Sequence, residues 1–326
     1  MDTQRTTEVL VVGAGMAGLT AARALQGAGR AVWVVDKGRG FGGRVATRRI
    51  GAATFDHGAQ FTTARDPRWA ALLDTMAAAG AVGEWHDGPG GHPRWRGQPS
   101  MTGIAKYLAR DLDVTRGVRL LSLRRRDDRW VGDMDDGGTV EASTVLLTPP
   151  VPQSLAILDA GGVELPPTVR RELEALTYDP CLCVMALLEG PSSIPAPGVL
   201  EFDEGPVAWI ADNQQKGISE VPAVTLHATP AFSAEHWEQD RLEVGRMLLR
   251  AAEPHLGARA LELSARHVHG WLYARPTGTA QTPCRVLHDM PPLVIAGDAF
   301  GGPRVEGAVL SGWAAADALL SRAQQS

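Results

Sequence analysis

Gly13, Gly15 and Gly18 in "VLVVGAGMAGLTAARAL" stand at GxGxxG spacing. That spacing serves anion binding: a tight turn, room for a pyrophosphate against the backbone, and close packing of a helix on a strand. Asp36 ends the next apolar run, where a carboxylate accepts from ribose hydroxyls and disfavours a 2′-phosphate. Directly after it, "KGRGFGGRVATRR" sets Lys37, Arg39 and Arg44 around Gly40, Gly42 and Gly43. Two guanidiniums on a glycine-rich loop suit bidentate pairing with pyrophosphate oxygens. Far along the chain, "RHVHGWLYARP" alternates so that His267, His269, Trp271 and Tyr273 share one face of a strand. Val268, Gly270 and Leu272 take the other face. Four rings in a row make either a wall for a planar dihydropyridine or amine-bearing ring, or plain core filling; His269 adds a hydrogen-bonding edge.

The elements that must position these groups follow from the hydrophobic pattern. Val9 to Val12 form a buried strand, Met16 to Gln26 a helix, and Ala31 to Val35 a second strand ending at Asp36, a βαβ unit of about 30 residues. The helix N-terminus at Met16 offers free N–H groups and a partial positive charge to phosphates. Later, Gly161-Gly162 and the prolines at 149, 150, 152, 166 and 167 mark a change of texture. Asp136-Gly137 signals a hairpin, and a helix is expected over Glu235 to Ala252. A last strand at Leu293 to Ala296 closes on Gly297-Asp298, ahead of a glycine-rich turn and a helix from about Glu306.

The chain has 326 residues, 44% hydrophobic and 21% charged, enough for one large or two intertwined domains. A formal net charge of −5 gives no electrostatic case for nucleic acid. The one basic cluster, Arg124 to Arg126, runs into Asp127 and Asp128 and reads as a solvated hairpin end. Cys181, Cys183 and Cys284 are an odd number without a CxxC pair, so neither a disulfide framework nor a metal site is suggested. No run approaches the roughly 20 apolar residues of a membrane span, and a cytoplasmic protein is expected.

The glycine-arginine loop after Asp36 resembles the second signature of the FAD-dependent amine oxidase superfamily. "GRGFGGRVATRR", "FDHGAQFTTARDP", "RWRGQPSMTGIAKYLA", "HGWLYA" and "GDAFGGPRVEGAVLSG" are similar, in that order, to segments of its renalase-like branch. The resemblance implies an α/β fold: a Rossmann-like FAD-binding domain (residues 1–80, 97–153 and 284–326) with an inserted mixed-sheet substrate domain (81–96 and 154–283). It implies noncovalent FAD. Asp36 would meet the adenosine ribose, Arg39 and Arg44 the phosphates, and Leu120 would lie on the strand that reads adenine. His57, Gly58, Ala59, Gln60 and Phe61 would pass beside the isoalloxazine, and Asp298 after Gly297 would hold the ribityl chain. Glu306, Gly307 and Ala308 would aim N–H groups at the pyrimidine end, where reduction leaves negative charge.

The implied chemistry is hydride transfer from a reduced nicotinamide-type substrate, such as an isomer of NAD(P)H, to flavin N5, with reoxidation by O2 to H2O2. Holding donor carbon and N5 at about 3–3.5 Å is the chief demand, and His269, Trp271 and Tyr273 are the candidates for orienting the donor. His57 is an alternative covalent attachment point. Lys216 is read as a surface-loop residue because of its Gln and Gly neighbours, although amine oxidases often place a lysine near N5. Two stretches depart from the branch: Gly270 and Leu272 replace arginines, and Asp212, Gln214 and Gln215 replace an arginine and two serines. An amine oxidase or desaturase of secondary metabolism, and a flavin binder without turnover, therefore stand as alternatives.

Overall fold

The structure, a computed structural model, describes residues 4–288 and 290–323. The chain begins with β1 (Gln4–Val12), α1 (Met16–Gly27), β2 (Val32–Asp36), the hairpin β3 (Thr47–Ile50) and β4 (Ala53–Asp56), and α2 (Pro67–Ala78). The hairpin β5 (Val82–Asp87) and β6 (Pro93–Gly97) follows, with α3 (Thr102–Leu108), β7 (Asp113–Arg116), β8 (Leu120–Arg126), β9 (Arg129–Met134) and β10 (Thr139–Leu147). Two helices, α4 (Val151–Ala160) and α5 (Pro167–Glu174), lead to β11 (Tyr178–Leu187), β12 (Val199–Glu201), β13 (Val207–Asp212) and β14 (Ala223–Ala228). Next come α6 (Pro230–Glu235), α7 (Arg241–Leu256) and β15 (Val268–Pro276), then β16 (Arg285–Leu287), β17 (Leu293–Ile295), α8 (Asp298–Gly301) and α9 (Val305–Ala323).

The first sheet has the order β16-β17-β10-β1-β2-β7, with β9 on β10 and β8 on β9. β1 lies parallel to both β2 and β10. A central parallel strand is covered on both faces, which is why Val9 to Val12 is apolar without alternation. Val9 and Val11 join the core under α1, α2, α3 and α9 with Leu19, Leu73, Ile104 and Val309. Leu10 and Val12 enter the opposite core with Trp130, Leu155 and Leu158. The second sheet has the order β12-β13-β14-β11-β15, and α7 covers one face through Val244 and Leu248 against Leu182, Val184 and Leu226. Its other face meets the β3–β4 hairpin: Cys183, Met185 and Ala223 pack on Ile50, Ala53 and Phe55.

Several expectations hold. The arginine cluster ends the β8–β9 hairpin, with Arg124 paired to Asp133 and Arg126 to Glu141. Asp136-Gly137 turns β9 into β10, Gly137 having φ 84°. Two boundaries move. The helix expected from Glu235 begins at Arg241, because Asp240 accepts from the amides of Leu242 and Glu243 as an N-cap; Pro230–Glu235 is a separate helix. The second domain, expected from residue 154, does not own α4 and α5: Leu155, Ile157, Leu158, Leu173 and Leu176 bury in the first-sheet core. The change of core falls between Leu176 and Leu182. Among the described residues no helix is long and apolar enough to cross a membrane.

Candidate active site

The amino end of α1 is shaped for an anion. Gly13 has φ +108°, and a Cβ on Gly18 would stand 1.9 Å from the Gly13 carbonyl oxygen, so neither position accepts a side chain. A Cβ on Gly15 would meet nothing within 4 Å, and Gly15 caps α1 without a side-chain hydrogen bond. The first-turn amides, starting at Met16, are therefore left for a ligand. Asp36 accepts from the amides of Ala14 at 2.6 Å and Gly38 at 2.5 Å, and burial raises its pKa against those two bonds. The amides of Gly117 and Val118 bond back to the carbonyls of Gly38 and Asp36, which brings the start of β8 and buried Leu120 beside this loop. Arg39 is exposed there, while Lys37 reaches Gln153 on α4 at 2.9 Å.

Arg44 leaves the glycine loop for the interior. It holds Asp298 with two bonds, 2.6 and 2.7 Å, and donates to the carbonyls of Tyr273 and Ala274. One guanidinium thereby joins the loop after β2, strand β15 and the start of α8. The amide of Gly297 is fixed by the Ser311 hydroxyl at 2.8 Å. Glu306 is buried and accepts from the amides of Arg65 and Asp66, at 2.6 and 2.7 Å. Ala308 spends its amide on the Arg304 carbonyl, so Val305, Glu306 and Gly307 carry the first-turn donors of α9.

The segment from His57 to Phe61 lies on Arg44–Ala46: the amides of His57 and Ala59 donate to Ala46 and Arg44, and a Cβ on Gly58 would stand 1.9 Å from the Arg44 carbonyl. Gln60 is held by the carbonyls of Asp56 and Gly58 and accepts from Lys216 at 3.2 Å. Lys216 is fully buried, which corrects the surface-loop reading: its ammonium sits 2.8 Å from Asp56, itself fully buried, and 4.8 Å from the Trp85 ring centroid. Asp56 also accepts from the Thr47 hydroxyl and the Met101 amide. Burial lowers the Lys216 pKa, with Asp56 opposing. The cause of the inward turn is Asp212, whose carboxylate accepts from the amides of Gln214 and Gln215 and from the Ser192 hydroxyl. That acid is a turn anchor.

Strand pairing sets Glu201, Trp209, His227, Cys183 and His269 in one row straight across the second sheet. Against its β15 end stands a ring cluster. His57 stacks on Trp271 with centroids 5.3 Å apart and meets His269 edge-on at 5.1 Å, and Trp271 donates to the His57 carbonyl at 2.8 Å. Phe61 packs on Trp209 at 5.7 Å, with the Arg94 guanidinium 4.3 Å over its ring. One residue leaves the expected wall: His267 precedes β15 in a 3-10 turn and bonds Ser264, while Tyr273 stays on β15 and packs edge-on against Tyr178 at 5.6 Å. Burial first, with Arg48 adding to it, pushes His57 down to about 3 and His269 to about 4; desolvation lowers half-buried His227 to about 4. These imidazoles are neutral at neutral pH.

The signature described as flavin containing amine oxidoreductase matches residues 75–320, and that of an NAD(P)-binding Rossmann-like domain matches 11–76. The chain belongs to the flavin-containing amine oxidoreductases. As a member of that family it is an FAD-dependent oxidoreductase. Renalase of Mus musculus is 24% identical over 333 residues, 94% of this chain and 96% of renalase. Two solved structures show the same fold: a protein from Exiguobacterium sp. 255-15 described as a candidate protoporphyrinogen oxidase (TM-score 0.72, 15% identical, 99% of this chain and 100% of that one) and a putrescine oxidase variant (TM-score 0.70, 16% identical, 98% and 100%).

The residues present fit the flavin of this family. Besides the open α1 terminus, His57 Nδ1, His227 Nε2 and Trp209 Nε1 are shielded from solvent without a hydrogen-bond partner among the described residues, a state for which a bound group is one explanation. Among the candidate site residues that the structure brings together, sequence reading missed Asp56, Trp85, Trp209 and His227. Asp56 stands in the quoted FDHGAQFTTARDP stretch and could have been weighed; Trp85 and Trp209 lie outside the quoted motifs, and His227 has no local signal and is found only through strand pairing.

Proposed function

We propose that this flavoenzyme oxidises a reduced nicotinamide-type ring, in the manner of an NAD(P)H-isomer oxidase, with O2 as acceptor. The observation that carries this reading is a neutral imidazole–indole cluster in cationic surroundings. Arg48 and Arg241 both depress His269, and Lys216 depresses His227. A planar uncharged dihydropyridine stacks on such rings without penalty. An alkylammonium would meet repulsion from Arg48 and Arg241 of about 2 kcal/mol each at ~7 Å and an effective dielectric of ~20, and the same field favours release of the pyridinium product.

The chemistry that FAD would supply when bound is acceptance of a hydride and return of the two electrons to O2 as H2O2, balanced by the transferred hydrogen and one proton from water. Asp36 and the α1 amides would hold its adenosine and diphosphate, and Asp298, Gln60 and the first-turn amides of α9 would face its ring half. The substrate needs no general base, because the lone pair of its ring nitrogen forms the new π bond as the C–H bond breaks. His57, His269 and Trp271 orient the ring, and Trp271 does so partly by fixing the His57 carbonyl. Lys216, locked to Asp56 and Gln60, holds Gln60 in one orientation.

Anaerobic stopped-flow bleaching of the flavin across a panel of dihydronicotinamides and amines tests the reading. Fast bleaching by a dihydronicotinamide is expected. Bleaching by putrescine or another amine alone would replace it with the amine-oxidase reading, and no bleaching by any reductant would leave a flavin binder.

A further inference from the structure

Two guanidiniums straddle the edge strand at the ring cluster. Arg48, on β3, approaches His269 Nδ1 at 3.4 Å and is aimed by one bond to the Arg266 carbonyl. Arg241, the first residue of α7, lies on the opposite face of β15, where Gly270 leaves room: a Cβ there would stand 2.8 Å from the Trp237 ring and 3.4 Å from Arg241 Nη2. Arg241 is stacked 4.6 Å from the Trp237 centroid and donates to the Trp237 carbonyl. Among the described residues no carboxylate lies within 4 Å of either. Arg44, Arg94 and Arg285, also partly buried, each hold one. Asp240, next in sequence to Arg241, spends its carboxylate capping α7. Arg48 is thus oriented by the Arg266 carbonyl and the His269 ring, and Arg241, on the α7 face, by the Trp237 carbonyl; each leaves N–H donors at the edge of β15, a form suited to a phosphate.

We propose that Arg48 and Arg241 form an anion subsite at the edge of β15 that takes a phosphate of a phosphorylated dihydronicotinamide. This rests on the reading of the cluster given above. The subsite sets affinity for the nucleotide part of the substrate, while His57, His269 and Trp271 hold the ring that reacts.

Calorimetry on the FAD-loaded enzyme with two probes whose rings are uncharged and unreactive, 1,4,5,6-tetrahydronicotinamide mononucleotide and the matching riboside, isolates the phosphate. The mononucleotide should bind about tenfold more tightly, and added salt should erase the difference. Arg48→Gln and Arg241→Gln should each cut mononucleotide affinity about tenfold more than riboside affinity. Arg48→Lys and Arg241→Lys, which keep the charge but not the fork, should fall between. Arg250→Gln, exposed further along α7, should shift both probes equally. Flavin content and unfolding midpoint of each variant report folding. Equal affinity of the parent for the two probes, no measurable mononucleotide binding, or equal losses for both probes in the variants would overturn the subsite. The corresponding dihydronicotinamide mononucleotide and riboside separate this from the reading beneath it: bleaching by both without preference rejects the subsite alone, and bleaching by neither rejects the dihydronicotinamide reading first.

Discussion

Acidification should destabilise this enzyme through His227, by an amount the structure allows to be worked out. In the fold its imidazole is half-buried, with Nε2 shielded from solvent, and desolvation pushes it from 6.5 to about 4. In the unfolded chain it protonates normally. As pH falls below 6.5 the unfolded state binds a proton that the native state refuses, so stability drops with falling pH and levels off only below the folded value. At about pH 5 the difference in proton uptake is roughly 1.5 logarithmic units, or about 2 kcal/mol. His227→Gln removes the titration while keeping a polar side chain on the row. Urea unfolding of the FAD-saturated parent and variant, at about pH 7.5 and about pH 5, should show the parent losing about 2 kcal/mol more than the variant. His57, pushed down to about 3, should behave alike at pH 5 and keep losing stability further into acid. His269 is partly exposed and should contribute less. Identical pH dependence of parent and His227→Gln would show that the imidazole titrates normally in the fold, and the neutral-cluster argument would go with it.

Three other outcomes are expected. Trp271→Ala should slow anaerobic flavin reduction by on the order of a hundredfold at unchanged FAD content, whereas Val268→Ala, on the α7 side of the strand, should cost about 0.5–3 kcal/mol of stability at nearly the parent reduction rate; the reverse order in stopped-flow traces normalised to FAD would refute the face assignment. Lys216→Met leaves the Asp56 carboxylate buried and unpaired and should cost about 3–5 kcal/mol in thermal or urea unfolding, most of it recovered by adding Asp56→Asn; a loss below about 1 kcal/mol would contradict the buried pair. Heat should release all flavin as FAD, and Asp298→Ala should lower FAD retention more than Asp87→Ala, because it strips Arg44 of its bidentate partner; equal retention by gel filtration would reject the role of Asp298.

The parts of this molecule legible in the sequence are those built by local rules. The βαβ unit, the Asp36 position and the two hairpin turns follow from short-range pattern, and the structure places each where expected. Period-two alternation also separated Val268 and Gly270 from His269 and Trp271 correctly. It failed at His267 because the strand stops there: the side chain bonds Ser264 and closes a turn, a contact that alternation does not encode. Helix α7 was misplaced because an apolar count cannot see that Asp240 caps it. Lys216 was misread for a similar reason, since its neighbours are polar yet the Asp212 turn folds it inward onto Asp56, 160 positions earlier in the chain.

The two departures from the branch pattern illustrate how charge can move between elements while a site keeps its electrostatics. An acid at 212 suggests an altered substrate as long as it is imagined facing one. Its carboxylate faces the backbone of its own turn, so it shapes the route of Lys216 and carries no information on specificity. A glycine at 270 suggests a lost cation, yet the space it leaves is occupied by Trp237 and Arg241, and Arg241 is one of the charges that depress His269. A cation from the first turn of α7 stands near His269. Reading specificity from the strand alone therefore undercounts the positive charge around His269, and the same geometry turns a missing side chain into the reason that an arginine from a different element can stand there.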